Sequence, residues 1–66
     1  MMTFEVKDMT CGHCVSTITQ AVRAVDPGAT VQIDLATHRV TIDPTEADAA
    51  ELSDAIQKAG YTPVAV

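Results

Sequence analysis

The chain has 66 residues, room for one small domain over 1–66. A domain of this size buries only about 60% of the surface its unfolded chain exposes, which excludes a large enzyme core with a second domain and a lid. Nine acidic side chains against four basic ones leave a net charge of −5. That balance excludes nucleic acid and an anionic membrane face as partners, since both are gripped by basic patches. Few groups remain for chemistry: two Cys, two His and one Tyr, beside scattered hydroxyls and carboxylates.

In chain order, Thr3 to Lys7 alternates polar and apolar with Phe4 and Val6 on one face, the pattern of a half-buried strand. From Val15 the period changes to that of a helix, with Val15, Ile18, Ala21, Val22 and Val25 forming a stripe. Asp26-Pro27-Gly28 ends it. Val31, Ile33 and Leu35, then Val40 and Ile42, alternate with polar residues across the short link Ala36-Thr37-His38 and predict a hairpin, although no Asn-Gly marks its turn. Asp43 is the expected N-cap of a second helix, with Pro44 at its first position and Glu46 at its third; Thr45 with Asp48 is a competing register. Leu52, Ala55, Ile56 and Ala59 supply its apolar stripe, and Glu46, Asp48, Glu51 and Asp54 its acidic outside. Gly60 terminates it. Tyr61 to Val66 is a last short strand, which Pro63 assigns to an edge or gives an irregular start. The order strand, helix, strand, strand, helix, strand predicts an α+β fold, the ferredoxin-like βαββαβ sandwich. It has a four-stranded antiparallel sheet with two helices on one face.

The segment that carries chemistry is Met9-Thr10-Cys11-Gly12-His13-Cys14, between the first strand and the first helix. A disulfide between Cys11 and Cys14 closes almost no loop and adds little stability. Cys11 falls in the loop and Cys14 in the first helical turn, where free N–H groups and the helix dipole favour thiolates. Two thiolates alone suit a soft ion of low coordination number, Cu(I) first and Ag(I) or Hg(II) by similarity. A structural zinc site takes four ligands and would have to recruit His13, His38 or a carboxylate. The same Cys pair also suits a thiol–disulfide oxidoreductase, although only one short strand precedes it here.

The Met-x-Cys-x-x-Cys loop at Met9, Cys11 and Cys14, together with Ala55-Ile56-Gln57-Lys58-Ala59-Gly60-Tyr61, resembles the heavy-metal-associated domain family. Within it, the match is to the bacterial copper chaperones of the CopZ type. The resemblance spans nearly the whole chain. It implies that Cys11 and Cys14 are the metal ligands, that Met9 points inward to anchor the loop, and that Tyr61 lies near the metal and shields it. His13 points away from the pair, since only i and i+3 share a face. Lys58 is read as a solvated helix-end cation and His38 as a hairpin surface residue. Thr10 is the copper-like residue at its position. Asp8 departs from the glycine common before Met and brings a carboxylate near the site.

The resemblance implies a cytoplasmic Cu(I) chaperone, not an enzyme. It would pass its ion by ligand exchange to the metal-binding domain of a copper-transporting P-type ATPase. It would be a monomer when apo, and metal could bridge two copies through their loops. The alternatives are an excised ATPase domain, a mercury carrier of the MerP type, and the oxidoreductase. The start lacks a signal-peptide pattern, no stretch approaches the ~20 apolar residues of a membrane span, and no linker flanks the domain. These features lead to the expectation of a free cytoplasmic protein with reduced thiols.

Overall fold

The computed structural model describes residues 1–66. Its first strand, β1 (Met2–Val6), buries Phe4 and Val6 and turns Thr3 and Glu5 outward. Helix α1 (Gly12–Val25) follows, then β2 (Thr30–Asp34), β3 (Arg39–Asp43), helix α2 (Ala49–Lys58) and β4 (Pro63–Ala65). All pairings are antiparallel and the sheet runs β2-β3-β1-β4. The register sets Phe4 opposite Val40 and Met2 opposite Ile42, which gathers the buried side chains of the two central strands on one face. The helices cover that face through Cys14, Ile18 and Val22 of α1 and Leu52 and Ile56 of α2. The fold is thus the α+β, ferredoxin-like sandwich that the periodicity predicts.

Burial carries this domain. Met9, Ile18, Ile42, Leu52, Ile56, Val6, Val22 and Val40 are fully enclosed, and each contributes about 1.5–3 kcal/mol. The exposed Asp54–Lys58 ion pair at 3.0 Å belongs to a class worth about 0–1 kcal/mol.

Three local expectations are revised. On α1 the buried stripe is Cys14, Ile18 and Val22, while Val25 is 38% exposed. Leu35 lies beyond β2 and is exposed to the same extent. The larger revision is the start of α2. Asp43 is not its N-cap, because it still pairs with Thr30 in the sheet. Nor does Thr45 begin the helix, because the N–H groups of Thr45, Glu46 and Ala47 all donate to Oδ2 of Asp26, at 2.7, 2.9 and 3.2 Å, while the Thr45 hydroxyl donates to Oδ1. That carboxylate holds the segment as a turn. The helix begins after Asp48, whose side chain accepts from Glu51 N–H at 2.8 Å while Glu51 Oε1 accepts from Asp48 N–H at 3.3 Å, a capping box one turn later than expected.

Asp26 is fully enclosed, and the donors on it hold its carboxyl well below the usual carboxylate range; the Glu46 amide contributes most and the Thr45 hydroxyl next. Gly28 lies in the same knot. A Cβ there would come within 2.9 Å of the Thr45 hydroxyl oxygen, so its lack of a side chain lets the two loops meet.

Candidate metal centre

The loop between β1 and α1 is held from inside. Met9 N–H donates to the Val6 carbonyl at 3.1 Å, closing a turn over Lys7 and Asp8, and the Met9 side chain is fully buried in the core. Met9 therefore packs inward. The chain then enters α1 with Cys11 as the N-cap, in extended conformation at φ −150° and ψ 170°. Cys14 is the third helical residue. The i, i+3 spacing sets both side chains on one face, with the sulfurs 3.4 Å apart. Neither is in a disulfide; Cys11 is exposed and Cys14 is buried.

That asymmetry has chemical content. Two thiolates holding one ion in line, at about 2.3 Å each as thiolates bind zinc, stand about an ångström further apart than this pair. Cys14 is fixed by the core, so the opening falls to Cys11, which solvent leaves free to turn. The pair combines one anchored sulfur with one movable sulfur, an arrangement suited to taking up and releasing a soft ion rather than enclosing it.

The thiol of Cys14 is pulled down from the ordinary 9.0 to about 7. The largest cause is the Tyr61 hydroxyl, directed at its sulfur. The Thr10 N–H and the Cys11 thiol follow, and burial opposes them. The sequence reading ascribes thiolate stabilisation to the helix start; in the structure, a tyrosine 47 positions downstream adds to it. Tyr61 is correspondingly pushed up to about 12, first by its bond to Cys14, then by burial and by the negative charges of Cys14, Cys11 and Asp8. Removing that hydroxyl in Tyr61→Phe is expected to move the Cys14 titration from about 7 toward 9.0, so the thiolate is lost at a higher pH as pH falls. Thiolate absorbance at 240 nm against pH reads the shift, and an unmoved curve contradicts it.

Tyr61 reaches this place through the end of α2. Gly60 adopts φ +100°, which only glycine takes without strain. Gly60 N–H donates to Gln57 O at 3.0 Å and Tyr61 N–H to Ile56 O at 3.3 Å, together a Schellman motif. The motif reverses the chain and drops Tyr61, half-buried against the core, beside Cys14.

Asp8 does bring its carboxylate to the site's edge, where Oδ1 accepts from Thr62 N–H at 3.2 Å and ties the thiol loop to the Tyr61 loop. His13 is exposed, and no group of three or more His, Cys, Asp or Glu gathers to hold an ion. Lys58 is solvated and pairs with Asp54. His38 departs from its reading as a hairpin surface residue. It is half-buried, and its Nδ1 lies 3.0 Å from the Met9 carbonyl oxygen. One signal could have found it. The turn between Asp34 and Arg39 has no glycine, yet one residue must take the left-handed conformation, and His is among the few side chains that tolerate it.

The heavy-metal-associated domain model matches residues 3–62. Copper-transporting ATPase 2 of Rhizobium meliloti (strain 1021) is 39% identical over 61 residues; these make up 91% of this chain and 7% of the ATPase. Copper chaperone CopZ of Staphylococcus aureus is 30% identical over 58 residues, 85% of each chain. Among solved structures, a gold binding protein superposes with a TM-score of 0.93 at 39% identity over the whole of both chains. Copper chaperone Atx1 from Synechocystis PCC6803, in a trimeric form, gives 0.93 at 34% identity, covering 97% of this chain and all of that one. The chain spans only a small part of the ATPases but most of the chaperone. No helix is long and apolar enough to cross a membrane. With the family model covering nearly the whole chain and the same sandwich beneath it, the protein belongs to the heavy-metal-associated domain family.

Proposed function

We propose that this chain is a single-domain metal chaperone of the cytoplasm that carries one Cu(I) ion between the thiolates of Cys11 and Cys14. It hands that ion to the heavy-metal-associated domain of a copper-transporting P-type ATPase and catalyses no reaction. The observation that carries the reading is the thiol pair at the first turn of α1, one sulfur exposed and the other anchored, 3.4 Å apart. A two-thiolate site favours a soft d¹⁰ ion over hard or four-coordinate ones. Transfer then proceeds by exchange: an incoming partner thiolate bonds to the ion as Cys11 leaves, a second replaces Cys14, and charge and coordination are conserved throughout. The identity to copper ATPases and to a copper chaperone supports both the cargo and the partner.

A second reading, a carrier of another soft ion such as Au(I) or Hg(II), draws on the likeness to the gold binding protein. Anaerobic titration with Cu(I), Ag(I), Hg(II) and Zn(II), followed by native mass spectrometry, separates the two. Under the chaperone reading one Cu(I) binds per chain, zinc is displaced by it, and a copper-bridged dimer forms at sub-stoichiometric metal. Tighter binding of zinc than of Cu(I) overturns the soft-ion reading. Clear turnover in an insulin-reduction assay would instead make the pair a thiol–disulfide oxidoreductase.

A further inference from the structure

We infer that His38 is a positioning residue for the thiol loop: its Nδ1–H grips the Met9 carbonyl and so fixes the plane of the Met9–Thr10 peptide, which leads into Cys11. The contact spans 29 positions of sequence, from the β2–β3 turn to the entrance of α1. A carbonyl oxygen can only accept, so the nitrogen facing it carries the hydrogen, and the neutral ring is the Nδ1–H tautomer.

A trans peptide directs its C=O and N–H to opposite sides. The peptide whose oxygen His38 holds is the one whose N–H is that of Thr10, so the ring also fixes the direction of that N–H at the entrance of α1. The peptide plane cannot rotate without losing the bond to His38.

The turn supports the inference independently. His38 sits at φ +57°, the one non-glycine residue of the chain in the left-handed region, where glycine would be the less costly occupant. The backbone holds it there, since its own carbonyl accepts from Val6 N–H at 2.7 Å and extends the β1–β3 ladder by one bond. His38 thus touches both ends of the Val6–Met9 turn, one through its backbone and one through its ring. Glycine could make the first contact but not the second.

That difference supplies the test. In His38→Gly the turn keeps its conformation without strain and loses the ring. In His38→Asn the residue still tolerates φ > 0, and Nδ2 takes the place of the imidazole Nδ1. Long-range ¹H–¹⁵N spectra of the apo protein at neutral pH are expected to show His38 as the Nδ1–H tautomer. Amide exchange of Thr10 is expected to accelerate about tenfold in His38→Gly, the effect of one lost hydrogen bond, without a fall in melting temperature, and to return most of the way in His38→Asn. A role limited to shaping the turn would move melting temperature and leave the glycine and asparagine variants alike at Thr10. An Nε2–H tautomer, or unchanged Thr10 exchange in His38→Gly, overturns the inference; should that variant fail to fold, the tautomer and the asparagine variant decide. The purpose of the device rests on the metal-carrier reading, under which Cu(I) is released to bathocuproine about tenfold faster from His38→Gly. The tautomer and exchange measurements need no metal, so their failure counts against His38, whereas failure of the wild-type protein to bind Cu(I) counts against the carrier reading.

Discussion

Cys11→Ser is expected to lower Cu(I) affinity by at least about a hundredfold while leaving the protein as stable as before or slightly more so. Four-ligand zinc sites in small domains bind with about 10–16 kcal/mol, which is about 2.5–4 kcal/mol per ligand. A two-ligand site concentrates its whole affinity on two bonds, so losing one costs no less than that. Stability behaves differently because Cys11 is exposed and stands at the N-cap of α1 without making a side-chain capping bond. Serine is among the preferred N-caps, and its oxygen would sit where it can accept from the Cys14 amide. Cys14→Ser is expected to lose Cu(I) equally but to melt at a lower temperature, since Cys14 lies in the core cluster. His13→Ala, at an exposed position, changes affinity far less. Bathocuproine competition and thermal circular dichroism on the three variants check this. Tight Cu(I) binding by either serine variant removes the two-thiolate site, and an unfolded Cys11→Ser would show that the thiol is structural.

Asp26→Ala is expected to be the most damaging single change to the fold outside the apolar core. The carboxylate is enclosed and satisfies the amides of Thr45, Glu46 and Ala47 together with the Thr45 hydroxyl. Truncation orphans all of them and frees the turn before α2. For a domain of this length the melting midpoint is expected to fall by roughly 10 °C or more. The pH dependence gives a second handle. Because the folded carboxyl lies well below its unfolded value, its contribution is fully present above the unfolded pKa of about 3.9 and is lost as pH falls toward the folded one. Wild-type stability therefore declines below about pH 4. Asp26→Asn keeps one acceptor oxygen and is expected to melt between the other two, with a flatter acid limb. Melting curves from pH 7 to pH 2 measure both effects. An Asp26→Ala midpoint within about 2 °C of wild type would show that water replaces the carboxylate at little cost.

Both outcomes bear on what could be read in advance. The alternation in β1 and β3 and the stripes of α1 and α2 are local properties of the chain, and they predicted the element order and the sandwich. The thiol pair was legible for the same reason: Cys11 and Cys14 are three residues apart at a helix start, and helical geometry alone sets them side by side. Local capping rules favour Asp43 as the N-cap of α2, whereas a carboxylate from the end of α1 claims the amides with which that helix would begin.

The chain by itself determined the fold class and set the two sulfurs side by side, while the inward path of Met9 is implied by the family resemblance and agrees with its full burial. The family resemblance already implies Tyr61 and Asp8 near the sulfurs; only the tertiary structure decided which contacts hold them there. Tyr61 reaches Cys14 because Gly60 lets α2 end in a reversal at that end of the sheet. Asp8 meets Thr62, and His38 meets Met9, because antiparallel pairing returns the β2–β3 turn and the α2–β4 loop to the place where β1 ends. Such contacts depend on the pairing of strands far apart in sequence, and periodicity, which registers only near neighbours, carries no trace of them.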